Sequence, residues 1–245
     1  MRLCRFISVA LLFLESQFPS SELSGKPVYL LWGKIVMEGK KKKEVSEDTV
    51  FRALRRQLLA TPYSAPLHYN LGLAYARRGQ LDESITAFQQ AIIFDPKMVE
   101  AYINLGGIYL RKGNLPACLE ANKKAMEINP DHPLAHSNLG FALIQQGKVE
   151  EGMLEYKRAL EIDPNQAAVR ANLGGAYFQK GDFEAAIREN LKALELNPSF
   201  ALAHNNLLHA YRAMGDEESA KTHCEKALEL GFQVNPELAA ELGCG

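Results

Sequence analysis

The chain has few of the residues that mark chemistry. Its 245 residues include four cysteines, Cys4, Cys118, Cys224 and Cys244, and no two stand at a CxxC or zinc-type spacing. Cys118 and Cys224 fall at positions expected to be packed, where a free thiol behaves as a small hydrophobe. No disulfide framework is therefore expected, and all four are read as reduced. Lys and Arg number 28 against 29 Asp and Glu, a net charge of −1. No global field draws such a chain toward nucleic acid or an anionic membrane, so no nucleic-acid partner is expected. A glycine-rich phosphate loop is missing, because Gly106-Gly107 and Gly174-Gly175 lie inside helical patterns. No nucleophile elbow occurs, and no serine has a base at useful spacing. His132 and His136 are four apart, yet Pro133 separates them and no carboxylate or thiol completes a metal set. No catalytic residue, metal, cofactor or small-molecule substrate is expected, and no separate domain remains to hold an active site.

What the chain has in abundance is repetition. Asn-Leu-Gly occurs at Asn70, Asn104, Asn138 and Asn172, and Asn206-Leu207-Leu208 is a fifth version without the glycine. Proline follows at Pro96, Pro130, Pro164 and Pro198, with a period of 34 residues throughout. A fixed period of this size defines a repeat array in which each unit buries its apolar face against its neighbours.

Five units are read at 65–98, 99–132, 133–166, 167–200 and 201–234. Each has two helical stretches parted by Gly79, Gly113, Gly147, Gly181 or Gly215, where a left-handed residue ends the first helix without steric cost. Gln80, Asn114, Lys148, Asp182 or Asp216 then opens the second helix, and the closing proline ends it. Leu71, Leu105, Leu139, Leu173 and Leu207 are expected core knobs. Tyr75, Tyr109, Tyr177 and Tyr211 are expected between the helices, with Leu143 in the third unit. Ala91, Ala125, Ala159, Ala193 and Ala227 permit close approach. Gly72, Gly106, Gly140 and Gly174 each cost about 1 kcal/mol of helix propensity. That cost implies two backbones meeting where a β-carbon would clash.

Outside the repeats, residues 1–36 admit three readings. Arg2 and Arg5 before a short apolar run outline an export signal, but no A-x-A-like site follows. The run is too short to span a bilayer, which leaves a membrane-resting helix. The third reading is a leader of no structural role, with translation starting at Met37. Residues 37–45 form a polar linker whose Lys40 to Lys43 read as solvated, because like charges in a row repel. Residues 46–62 carry Val50, Phe51, Leu54 and Leu58 at helical spacing, a half repeat capping the first full unit. Beyond Phe232, which replaces the closing proline, residues 235–245 form a cap short enough to leave apolar surface uncovered. Self-association through that end is the corresponding expectation. The compartment is expected to be cytoplasmic, or the envelope if residues 1–36 are a genuine signal.

The pattern resembles the tetratricopeptide repeat (TPR) family. The second unit shows Tyr102, Leu105-Gly106, Tyr109, Cys118, Asn122, Ala125 and Pro130 at the family's positions, and the first shows His68, Leu71-Gly72, Tyr75, Ser84, Phe88, Ala91 and Pro96. The resemblance implies an all-α fold, a right-handed α-solenoid of stacked helix-turn-helix hairpins whose first helices line a concave groove. It also implies a non-catalytic scaffold binding a protein or peptide partner. The groove would carry Asn70, Asn104, Asn138, Asn172 and Asn206, a ladder similar to that of the TPR domain of O-GlcNAc transferase, which grips extended chains. A side-chain amide both donates and accepts, matching a peptide backbone. The alternative is that each asparagine bonds a neighbouring repeat and holds the stacking. Tyr69, Ile103, Leu110, Phe141, Ile144 and Phe178 would line the same groove, with Arg77 and Arg111 toward one end. Family members that clamp acidic tails use lysine where this chain has Pro66, Glu100, Leu134, Ala168 and Leu202, which argues against that ligand. Action through the edges, as an assembly factor of a secretion or pilus apparatus, is the competing role.

Overall fold

A computed structural model describes residues 47–245. The leader and linker readings, 1–36 and 37–45, lie outside the described residues. Twelve helices follow one another, with no strand among the described residues. They are α1 (Glu47–Ala60), α2 (Ala65–Arg77), α3 (Leu81–Phe94), α4 (Val99–Arg111), α5 (Leu115–Ile128), α6 (Pro133–Gln145), α7 (Val149–Ile162), α8 (Ala167–Gln179), α9 (Phe183–Leu196), α10 (Ala201–Ala213), α11 (Glu217–Glu229) and α12 (Pro236–Leu242). From α2 to α11 they pair as five helical hairpins, an all-α solenoid. The chain divides into two compact units whose described parts are 47–128 and 129–245.

Local chemistry sets the hairpins. The five turn glycines lie at φ 72° to 82°, the left-handed conformation that ends each first helix. The next residue's N–H returns to the third-last helical carbonyl, as Asp182 N does to Tyr177 O at 3.0 Å. The Asp182 and Asp216 carboxylates accept from Ala185 N and Ser219 N, each at 3.0 Å, satisfying donors that the helix start leaves open.

In the 47–128 unit, fully buried Phe88 sits in a cluster with Ala76, Leu105, Ile108 and Ala121. Helix α1 lies on α2. Phe51 meets Tyr75 edge-on at 5.1 Å, and Arg78 covers the Phe51 ring while pairing with Asp48 at 2.7 Å. In the 129–245 unit, Ala171, Ala193, Phe200, Leu202 and Ala203 form one cluster. Leu208, Ala220, Cys224, Ala227, Val234, Leu238 and Ala239 form another.

Three expectations are corrected. The helix glycines do not all face a second backbone. Only at Gly140 is the nearest obstacle to a β-carbon a main-chain atom, Gly152 O at 2.8 Å. At Gly72 it is the Phe88 ring, and at Gly106 and Gly174 it is the side-chain amide of Asn122 or Asn190. The aligned second-helix side chain fills the space in each case. Next, Cys224 is not a free thiol: it is joined to Cys244, 20 residues on, with Cα atoms 6.0 Å apart. Only Cys118 is free among the described cysteines. The return of the chain after α11 brings the two together, and no local spacing announces it. Finally, the short C-terminal segment does cover apolar surface. Gly231 at φ 79° ends α11 in the absence of a proline, and Leu238, Ala239 and Cys244 are buried against the last hairpin.

Candidate functional site

The residues expected to line a groove all lie on the first helices of the hairpins, and the structure gives them different environments. In the 47–128 unit, Tyr69, Asn70 and Asn104 are half-buried, Ile103 and Leu110 are buried, and Arg77 is exposed. The Asn104 amide Nδ2 donates to Tyr69 Oη at 3.1 Å and to Glu100 O at 2.8 Å. Tyr69 in turn lies against Phe88, with ring centroids 5.7 Å apart. Arg111 donates Nη1 to Ala76 O at 3.2 Å, so this guanidinium closes the end of the preceding first helix. Its partial burial lowers its pKa through desolvation.

In the 129–245 unit, Asn138 is 1% exposed and Phe141 is buried, whereas Ile144, Asn172, Phe178 and Asn206 are half-buried. Asn206 Nδ2 donates to Ala171 O at 2.9 Å, on the preceding first helix, and to Asn190 Oδ1 at 3.1 Å. Phe178 packs between Phe183 and His209, at centroid distances of 5.4 and 6.2 Å. Asn104 and Asn206 thus spend both amide hydrogens inside the protein. Each Oδ1, which takes no bond from the described residues, is left as an acceptor held in a fixed direction.

A second constellation escaped the residue pattern. In four of the five repeats the side chain at the first bulky position reaches back to the carbonyl of a proline six residues earlier. His68 Nε2 meets Pro62 O at 2.8 Å, His136 Nε2 meets Pro130 O at 2.7 Å, and His204 Nε2 meets Pro198 O at 3.1 Å. Arg170 does the same to Pro164 O, through Nε and Nη2 at 3.2 and 2.9 Å. On their other side, His136 pairs with Glu155 at 2.6 Å and Arg170 with Glu189 at 3.1 Å. His204 meets His223 instead, Nδ1 to Nδ1 at 2.9 Å. Since His204 donates Nε2–H to the carbonyl, its Nδ1 accepts from His223 Nδ1–H. Burial first, and then the neighbouring His204, pull the His223 imidazole down to about 4. The repeated histidines at fixed offset from proline were the available signal, but the carbonyl they reach is visible only once the turn is folded.

The solenoid of helical hairpins defines the class, a repeat scaffold. The TPR repeat family profile matches residues 72–113, 106–147, 142–181 and 174–215, and a further tetratricopeptide repeat profile matches 201–230. The chain belongs to the tetratricopeptide repeat family, whose arrays are protein–protein interaction scaffolds. Curated protein sequences give no match. Among solved structures it is similar to MamA, at 25% identity over 66% of this chain and 94% of that one, with a TM-score of 0.56. It is also similar to YrrB, described as a TPR protein with an unusual peptide-binding site, at 19% identity, 78% and 97% coverage, and a TM-score of 0.58. PilW, described as a type IV pilus biogenesis factor, aligns at 21% identity, 74% and 87% coverage, and a TM-score of 0.66. The last two likenesses concern the fold alone.

Proposed function

We propose that the first-helix faces of each unit bind an extended segment of a partner protein, without catalysis. The observation that supports this reading is the pair of spent amides. Asn104 and Asn206 are each held by two donated bonds, so each Oδ1 is pre-set to accept a peptide N–H. Each such bond contributes on the order of 0.5–1.5 kcal/mol net, and affinity accrues over several rungs. Neighbouring packed helices lie about 8–10 Å apart. A polyproline II-like segment rises about 3.1 Å per residue with three residues per turn, so it returns an equivalent backbone group about every 9 Å. Tyr69, Ile144 and Phe178 supply apolar contact beside the amides.

The test uses Asn70 and Asn172, whose side chains make no hydrogen bond within the described residues and whose loss perturbs stacking least. In crosslinking pull-downs from native cells, the full chain carrying Asn70→Ala and Asn172→Ala is expected to lose a partner's flexible segment at least tenfold, with an unchanged melting curve. Retention of the same crosslinks in equal amount would refute the groove reading.

The disulfide favours a second reading, an assembly role in an oxidising compartment such as the cell envelope, because such bonds persist there and are rare in the cytosol. No helix among the described residues is long and apolar enough to cross a membrane. Intact-mass analysis of the protein from its host tests this reading. Fully reduced thiols would remove its support.

A further inference from the structure

The net charge of −1 conceals a local segregation. Between residues 47 and 78 the chain has five arginines and two acids, Glu47 and Asp48. Both acids lie in the first turn of α1, and Asp48 is already paired with Arg78. Arg52, Arg55 and Arg56 are exposed, and none makes an ion pair within the described residues. Together with Leu59 they stand at i, i+3, i+4 and i+7, a single stripe on the outer face of α1. The adjoining face, with Phe51, Leu54 and Leu58, is the one partly buried. Leu59 is 86% exposed, and Tyr63, just past the end of the helix, is 78% exposed.

We propose that the outer face of α1 docks on an anionic lipid surface. Charge complementarity selects the sign: three guanidiniums on one stripe, with no ion pair within the described residues, attract phosphate-bearing headgroups. The exposed apolar side chains select the kind of anion. A nucleic-acid backbone offers phosphate but nothing for Leu59 to enter, whereas an interface takes up leucine and tyrosine at headgroup depth. The stripe shares no residue with the first-helix faces proposed to bind a partner.

The experiment is co-sedimentation of the full chain with vesicles of equal phosphatidylglycerol and phosphatidylcholine, and with phosphatidylcholine alone. Wild type is expected to sediment with the anionic vesicles only and to be released by salt. Arg52→Glu, Arg55→Glu and Arg56→Glu combined are expected to weaken partitioning on the order of a hundredfold or more. Lysine at all three positions is expected to preserve it, which separates loss of charge from loss of fold. Equal binding to both vesicle types would overturn the proposal. So would indifference to charge reversal, or capture by an RNA homopolymer or poly-aspartate with none by anionic vesicles.

Discussion

Gly174 and Gly175 are neighbours in α8, and alanine at each is expected to change stability in opposite directions. A β-carbon at Gly174 would lie 2.1 Å from Asn190 Nδ2, 2.8 Å from its Cγ and 3.1 Å from Ala186 O. Asn190 is fully buried. Its amide donates to Ala186 O at 2.7 Å, and its oxygen accepts from Asn206 at 3.1 Å. Displacing it forfeits two bonds of about 0.5–1.5 kcal/mol each and adds the strain of an overfilled core, about 1–3 kcal/mol. Against this, leaving glycine gains about 1 kcal/mol of helix propensity, so the net cost is about 1–5 kcal/mol. At Gly175 the added carbon would meet only Asn206 Nδ2, at 3.7 Å, an ordinary contact. The propensity gain of about 1 kcal/mol then stands alone. Urea unfolding followed by far-UV circular dichroism should separate the two variants by about 2–6 kcal/mol, with comparable slopes. Changes of the same sign in both variants would refute the close approach of α8 and α9.

Other consequences are as direct. Differential alkylation should find Cys224 and Cys244 blocked before reduction, and reduction should cost the C-terminal hairpin about 3 kcal/mol by the chain-entropy model; full labelling without a reductant would contradict the link. His223 titrates near 4 when folded and near 6.5 when unfolded. Between these values the unfolded chain binds the extra proton, so stability should fall as pH drops through the window and level off below it. His223→Phe should flatten that part of the profile in thermal melts, and an unchanged slope would count against the imidazole pair.

Much of the fold was legible because helical punctuation is local. Gly147 ends one helix and Pro164 another wherever they stand in space, and a 34-residue period announces stacking. The faces were legible for the same reason: Leu71, Leu105 and Leu139 follow helical spacing into the buried side. What stayed hidden depends on atoms distant in the chain. Nothing near Gly174 names Asn190 as its obstacle, and nothing near Cys224 names Cys244. The candidate site was half legible. Its asparagines are evident as a series, but which amide hydrogens remain free is decided by Ala171 O and Tyr69 Oη on the preceding first helix.

The side chains that reach back to proline carbonyls have a mechanical consequence. Each of those bonds straddles the boundary where one hairpin hands over to the next, so it resists peeling at that joint. Tyr102 occupies the aligned position at the start of α4 and makes no bond to Pro96 O. In the 47–128 unit the joint between Pro96 and Val99 is therefore the one without such a bond, and the load there falls on Arg111 Nη1 at Ala76 O and Asn104 Nδ2 at Tyr69 Oη instead.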